Sequence, residues 1–160
     1  MKKITSLALV LVLALALSAC GIFAQAKEVQ IGTSAFSIVI PAGYKSVDDE
    51  MDEDQIAYYY KDEDSVDFDV YQWEKGDEYT LESEANSYAK MYGTTAEPVV
   101  VNGINGMKYV SEEEYEGETY TVVNYMFDDG VYLVELCFWT VDSEAEYKVV
   151  DEIINTLKKN

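Results

Sequence analysis

Hydrophobic residues alternate with polar ones over most of the chain after residue 35, and only two stretches break this pattern with helical spacing. Alternation with a period of two is typical of β-strands, whereas apolar residues three and four positions apart indicate a helix. Strands therefore come first, then a helix, then strands again, then a second helix. This order predicts an α+β domain built on a mostly antiparallel sheet. The predicted strands cover residues 36–40, 55–60, 65–73, 98–101, 107–113, 118–127 and 131–140.

Both predicted helices have recognisable starting residues. The first follows Thr80, whose hydroxyl can cap the first turn, and ends at Gly93. The second opens with the capping box Ser143-Glu144-Ala145-Glu146 and closes on lysines, which suit the negative end of the helix dipole. Their apolar stripes are Leu81, Ala85, Tyr88, Ala89 and Tyr92 in the first helix and Tyr147, Val150, Ile153, Ile154 and Leu157 in the second.

The N-terminus has the layout of a secretory signal. Lys2 and Lys3 precede an unbroken apolar stretch over residues 7–17, which is too short to cross the ~30 Å hydrocarbon core of a bilayer as a helix. The segment that follows, Leu17-Ser18-Ala19-Cys20, resembles the lipobox of bacterial lipoproteins at every position. The resemblance implies cleavage before Cys20 and attachment of diacylglycerol to its thiol. An uncleaved anchor and ordinary secretion are the alternatives.

The lipobox divides the chain into three parts. We expect a signal peptide over residues 1–19, a lipidated Cys20 with a short tether over 20–34, and a single α+β domain over 35–160. The protein would then lie on the extracytoplasmic side of a cell membrane, at the cell surface or the periplasmic face, held in the lipid bilayer by the acyl chains on Cys20.

The charged residues exclude several kinds of chemistry. The 160 residues include 31 Asp and Glu against 11 basic residues, all of them lysine, and no histidine, for a net charge of −20. Catalysis that needs an imidazole base, zinc sites built on histidine and arginine-finger chemistry are therefore excluded. So is nucleic acid as a partner, because binding to phosphates needs clustered basic side chains. Removal of residues 1–19 leaves nine lysines, so the mature charge becomes −22.

Two acidic tracts, over residues 48–54 and 62–69, lack the glycine and terminal glutamate of a calcium-binding EF-hand loop. The simpler interpretation is solvated loops that keep the protein soluble. The alternative is a weak Ca²⁺ site, for which the candidate ligands are Asp62, Asp64, Asp67 and Asp69. No other cofactor is expected.

The hairpin turns predict which side chains share a face of the sheet. A type I′ turn at Asp129-Gly130 would place Asn124 opposite Glu135, and one at Glu116-Gly117 would place Tyr109 beside Asn124. The sequence thus predicts a row of Tyr109, Asn124 and Glu135. Ser111, Val122 and Cys137 form the next row on that face, and the opposite face is core, with Val110, Val123, Tyr125, Val134, Leu136 and Phe138.

Glu135 is a lone carboxylate inside the apolar segment 131–139, and burial of an unpaired charge is costly. Two structural interpretations are open: Asn124 and Tyr109 donate hydrogen bonds to Glu135 beneath a helix, or this face of the sheet is partly wet. The functional alternative is that the three residues line a small polar pocket for a ligand. A glycosidase with paired carboxylates is disfavoured, since no second acid is placed across from Glu135. Cys137 is interpreted as a core residue, because no histidine is present to activate it.

The segment Phe36-Ser37-Ile38-Val39-Ile40-Pro41-Ala42-Gly43-Tyr44 resembles the opening strand of the PsbP-like superfamily, F-x-I-x-I-P-x-G-aromatic. The order of elements is similar over residues 35–159. The resemblance implies an α-β-α sandwich, with helices on both faces of the antiparallel sheet. The superfamily includes a thylakoid photosystem subunit, a Ran-binding import factor and many bacterial lipoproteins, and it supplies no shared catalytic motif.

These observations together predict a lipoprotein with a non-catalytic binding or assembly role. A basic protein partner is the first expectation, with the acidic tracts as its contact region. A binding module for a small ligand or a divalent cation such as Ca²⁺ is the alternative. An enzyme is disfavoured because the usual activated groups are missing.

Overall fold

The computed structural model describes residues 25–47, 53–61 and 65–160. Cys20, the predicted signal peptide, Asp62 and Asp64 lie outside the described residues. Ten strands and two helices occur in the part described: β1 (Lys27–Gln30), β2 (Phe36–Ile40), β3 (Lys45–Val47), β4 (Gln55–Tyr60), β5 (Phe68–Glu74), α1 (Leu81–Met91), β6 (Glu97–Val101), β7 (Ile104–Tyr115), β8 (Glu118–Asp128), β9 (Tyr132–Trp139), α2 (Glu144–Ile154) and β10 (Lys158–Lys159).

Two antiparallel sheets form the domain. The larger has seven strands in the order β3-β4-β5-β9-β8-β7-β6, and the smaller has three in the order β1-β2-β10. Helix α2 and strand β2 share one hydrophobic core with one face of the large sheet, whereas α1 packs on β7 and β8 from the other face. The predicted α-β-α sandwich, with a mostly antiparallel sheet and helices on both faces, is confirmed.

The helices begin where their caps predict. Thr80 accepts a hydrogen bond from the amide of Ser83, and Ser143 accepts one from the amide of Glu146. The end of α2 differs from the prediction: the helix stops at Ile154, and Lys158 and Lys159 form β10, which pairs with β2. The reason is local. The hydroxyl of Thr156 accepts a hydrogen bond from the amide of Val39 at 2.9 Å, and this contact turns the chain away from the helix axis and along β2.

The expectation that residues 20–34 are a tether is wrong for its second half. β1 pairs with β2 along its whole length, and Ile31, which follows it, is 2% exposed and belongs to the main core. The domain therefore includes residues from Lys27 onward. No helix within the described ranges is long and apolar enough to cross a membrane.

One of the two predicted hairpin registers is correct. Glu116 and Gly117 both have positive φ, as a type I′ turn requires, and Tyr109 pairs with Asn124. The register between β8 and β9 is shifted by two residues, so Asn124 lies opposite Cys137 rather than Glu135. The cause is the side chain of Asp129, which accepts hydrogen bonds from the amides of residues 131 and 132, both at 2.8 Å, and so widens the turn.

Candidate functional site: an acidic cavity beneath the first helix

Helix α1 covers only part of its face of the large sheet, and a cavity of about 410 Å³ lies beneath its C-terminal end. Strands β5, β7, β8 and β9 supply most of the lining, and the end of α1 and the chain before β4 supply the rest. All three residues predicted for the polar row line this cavity. The complete lining is Glu53, Asp54, Tyr71, Trp73, Tyr88, Tyr92, Tyr109, Glu113, Asn124, Glu135, Cys137 and Trp139.

Glu135 lies in the middle of β9, with Tyr71 of β5 and Met126 of β8 as its paired neighbours. The residue is 6% exposed, and its Oε1 accepts a hydrogen bond from the hydroxyl of Tyr109 at 2.5 Å. No hydrogen bond within the described ranges reaches the second oxygen, Oε2. Burial raises the pKa of Glu135 to about 7, although the hydrogen bond from Tyr109 opposes the rise. The predicted contact between Tyr109 and Glu135 is confirmed.

Asn124 does not bond to Glu135, and that part of the prediction is wrong. The two-residue shift in register moves Asn124 along the cavity, where its amide nitrogen donates to the hydroxyl of Ser111 at 3.1 Å. The hydroxyl of Ser111 in turn donates to Glu113 at 3.3 Å. Asn124 is thus part of a second polar group in the cavity, centred on Glu113.

Glu113 is another acid of the cavity, and its charge contributes to the raised pKa of Glu135. It does not lie across from Glu135, whose paired neighbours are Tyr71 and Met126. Partial burial raises the pKa of Glu113, while hydrogen bonds from Ser111 and from Tyr92, the residue that caps the end of α1, lower it. Sequence analysis did not identify Glu113 as a site residue, because it stands within the acidic run 112–114, which is typical of a solvated surface. Its position in β7, two residues after Ser111 and four after Tyr109, was the available signal, because alternate residues of a strand share a face.

The expectation of solvated acids is also wrong for Asp69. This residue lies in β5, is 6% exposed, and accepts hydrogen bonds from the indole nitrogen of Trp139 at 2.5 Å and from the amide of Gln55. Burial raises its pKa to about 6, against those two hydrogen bonds. Nearby, Asp67 accepts a hydrogen bond from the hydroxyl of Tyr58 at 2.8 Å.

The structure brings together no cluster of three metal-ligating side chains within the described ranges. Of the four candidate calcium ligands, Asp67 and Asp69 are already bonded to neighbouring side chains, and Asp62 and Asp64 lie outside the described residues. The weak Ca²⁺ site therefore stays a prediction.

Aromatic rings form the walls between the acids. Trp73 packs against Tyr88 of α1 with ring centres 5.9 Å apart, and Trp139 packs edge-on against Tyr120 at 6.4 Å. Trp73 and Trp139 are the two tryptophans of the sequence, and both line the cavity. Among the lining residues given above there is no lysine, so no side chain there neutralises the acids.

Cys137 also borders the cavity, but its thiol is unsuited to nucleophilic chemistry. The residue is buried, and burial together with the charge of Glu135 raises its pKa well above the ordinary value. A thiol with a raised pKa stays protonated at neutral pH and is a poor nucleophile. Its position in the sheet agrees with the interpretation as a packing residue.

These observations define the class of structure: an antiparallel α-β-α sandwich with an acidic, aromatic cavity under one helix. Known structures narrow the fold further. The solution structure of the cyanobacterial PsbP protein, CyanoP, from Synechocystis superposes with a TM-score of 0.65 at 12% identity, covering 86% of this chain and 94% of that one. The chain has a PsbP-like fold.

Two further structures share this architecture. The Ran-binding protein Mog1p of Saccharomyces cerevisiae matches with a TM-score of 0.53 at 15% identity, over 84% of this chain and 95% of that one. A crystal structure from Bacteroides thetaiotaomicron matches with a TM-score of 0.61 at 18% identity, over 85% of this chain. The match covers 49% of the Bacteroides chain, about half its length. No protein-family model and no curated protein matches this chain by sequence.

Proposed function

We propose that this chain is a lipid-anchored, extracytoplasmic binding protein that holds its ligand in the cavity beneath α1. One observation carries the proposal: Glu135 is buried in an aromatic cavity, yet only one of its two oxygens receives a hydrogen bond from the described residues. Among the described residues no buried side-chain oxygen lacks a hydrogen-bond partner, so the second oxygen of Glu135 must be accessible from the cavity. A carboxylate held in a mostly buried position with one oxygen open to a cavity is placed to contact a ligand.

The acids of the cavity favour binding over catalysis. Both Glu135 and Glu113 lie in environments that disfavour the ionised form, and a bound cation would relieve this for either carboxylate. The chain also contains no histidine and no arginine, and the thiol of Cys137 has a raised pKa.

Membrane attachment through Cys20 is the second part of the proposal. The lipobox over residues 17–20 supports it, and so does the position of β1. Because β1 begins at Lys27, only residues 21–26 separate the proposed lipid from the first strand. Such a short connection would hold the domain next to the membrane surface.

A basic protein partner is a second candidate ligand for the same molecule. The large excess of acidic residues favours it, because a net charge of −20 attracts positive surfaces. The Mog1p likeness shows that this fold occurs in a Ran-binding protein. The proposed contact region is the acidic tracts over residues 48–54 and 62–69. Capture of a partner at low salt, its loss at high salt, and its loss when those acids are replaced by amides would support this candidate.

Thermal unfolding tests the cavity directly. The chain from residue 21 onward is screened against small amines, sugars and amino acids, beside the Glu135→Gln variant. A ligand that binds only the folded state raises its melting temperature as the concentration increases. The proposal predicts at least one compound that stabilises the wild type and not the variant. Compounds that stabilise both proteins equally, or turnover in a broad hydrolase screen that depends on Glu135, would contradict it.

A further inference from the structure

The cavity beneath α1 adjoins a second cleft. Tyr71 and Trp139 also line this second cleft, which has a volume of about 620 Å³ and lies on the same face of the sheet, beyond the part covered by α1. The other residues of the second cleft are Gln55, Tyr58, Asp67, Asp69, Tyr115, Tyr120 and Thr140. The two spaces therefore adjoin at one pair of aromatic side chains.

Each space contains a buried acid, and the strand register relates the two acids. Tyr71 pairs with Glu135 and Asp69 pairs with Cys137, so Glu135 and Asp69 are diagonal neighbours on strands β9 and β5. The Cα atoms of diagonal neighbours across an antiparallel pair are about 7–8 Å apart, and their Cβ atoms are somewhat closer. This spacing suits two positive charges joined by a short chain of carbon atoms.

Both acids can accept further hydrogen bonds. Oε2 of Glu135 receives none from the described residues. Each oxygen of Asp69 receives one, from Trp139 and from Gln55 respectively. A carboxylate oxygen accepts two hydrogen bonds, so capacity remains on Asp69 as well. An ammonium group carries three donors and a positive charge, so it can bind to the remaining acceptor capacity of either carboxylate.

The surfaces between the acids suit the carbon chain. Tyr71 and Trp139 present aromatic rings at the junction, where methylene groups can be buried and an ammonium can lie over a ring face. No lysine lines either space among the described residues, so a cationic ligand meets no repulsion there. An anionic ligand would meet several carboxylates and, among the residues described, no cationic side chain.

We propose that the two spaces form one site for a linear alkylammonium chain, with one ammonium at Glu135 and the next at Asp69. The inference rests on the proposed binding function and names its ligand class. A free di- or polyamine and the lysine side chains of a basic protein share this chemistry. The experiment distinguishes the two sources.

Calorimetric titration of the chain from residue 21 onward tests the proposal, with the fluorescence of Trp73 and Trp139 as a second readout. The probes are spermidine, 1,4-diaminobutane, butylamine and the uncharged 1,4-butanediol. We expect the diamine to bind at least about tenfold more tightly than butylamine, because it makes a second charge-assisted hydrogen bond. Butanediol should not bind.

Two variants test the two acids of the site, and a third variant is the control. Glu135→Gln should weaken spermidine binding by at least about tenfold. Asp69→Asn should weaken the diamine but leave butylamine nearly unchanged, since butylamine uses only the first position. Glu152→Gln removes the same charge from an exposed position on α2, on the opposite face, and should leave binding unchanged. Melting temperatures establish that each variant is folded.

A trilysine peptide distinguishes the two sources. Tighter binding of the peptide than of spermidine, with the same dependence on Glu135, indicates a protein partner, and the reverse order indicates a free polyamine. Equal weakening by Glu135→Gln and Glu152→Gln would overturn the proposal, since it would indicate general attraction to an acidic surface. If only uncharged compounds bind in a Glu135-dependent way, the alkylammonium class is wrong while the proposed binding function stands.

Discussion

The hydroxyl of Tyr109 donates a hydrogen bond of 2.5 Å to Glu135 and so links β7 to β9 across the strand between them. The bond lies in the cavity beneath α1. It satisfies one oxygen of the buried carboxylate and leaves the other for a ligand. The stability of the sheet and the proposed binding site thus depend on the same side chain.

Replacement of Tyr109 by Phe should destabilise the protein, because it leaves a buried carboxylate without a donor. We expect a loss of about 2 kcal/mol in the free energy of unfolding at pH 8, where Glu135 is ionised, and about 1 kcal/mol at pH 5, where it is protonated. Urea unfolding at the two pH values measures both. Tyr115→Phe, at a side chain that is 64% exposed, is the control and should change little. Equal small losses in the two variants would contradict the assignment.

The raised pKa of Glu135 predicts a pH dependence of stability. The folded state binds this proton up to about pH 7, whereas the unfolded chain releases it near the ordinary value of 4.5. The contribution of Glu135 to stability is therefore highest below pH 4.5 and falls as the pH rises to 7, by about 3 kcal/mol in total. The other titratable groups facing the cavity are Glu53 and Asp54 before β4, Tyr71 of β5, Tyr88 of α1, Tyr92 at the C-cap of α1, Tyr109 and Glu113 of β7, and Cys137 of β9.

Glu135→Gln isolates this contribution from those neighbours. The difference in unfolding free energy between the variant and the wild type should grow in favour of the variant between pH 4.5 and pH 8. Glu152→Gln, at an exposed position, should show no such trend. A difference that stays constant with pH would mean that Glu135 titrates near its ordinary value.

The sequence predicted which side chains share a face better than it predicted which side chains touch. The hydrophobic alternation placed Tyr109, Asn124 and Glu135 on one face, and a shift of two residues preserves that result because strand faces repeat every two residues. The contact partners depend on the exact register. The side chain of Asp129 sets that register in the turn, through hydrogen bonds that no hydrophobic pattern reveals.

The acids of the site were the hardest part to predict. Asp69, which is buried, and Glu113, which is half-buried, stand in acidic runs that resemble solvated surface. Their surroundings depend on Trp139 and on Tyr92 at the C-cap of α1, which are distant in sequence. β1 was missed for a related reason, since its four residues include two charged ones and only Val29 packs against the core.

The extent of the domain gives a third prediction. A chain that begins at residue 35 lacks β1 and Ile31, which is buried in the main core. Compared with a chain that begins at residue 25, it should lose at least about 3 kcal/mol in the free energy of unfolding, since loss of a buried isoleucine alone costs about 2–5 kcal/mol. Urea unfolding of the two chains measures the difference. Equal stability would mean that β1 contributes nothing to the fold.

The proposed anchor is tested in cells. Cys20→Ala should abolish incorporation of radioactive palmitate and release the protein from the membrane fraction, because no other residue of the lipobox carries a thiol. Cys137→Ala is the matched control and should be labelled normally, since that thiol is buried in the sheet. Unchanged labelling of the Cys20→Ala protein would show that the lipid is attached elsewhere.

The most direct measurement of the central claim is the titration of the Glu135 side chain itself. The carboxyl carbon of ¹³C-labelled glutamate is followed by NMR against pH and assigned by comparison with Glu135→Gln. Without ligand the pKa should be about 7. With saturating spermidine it should fall to the ordinary value of 4.5 or below, because a bound ammonium favours the ionised carboxylate. A pKa that spermidine leaves unchanged would contradict the account.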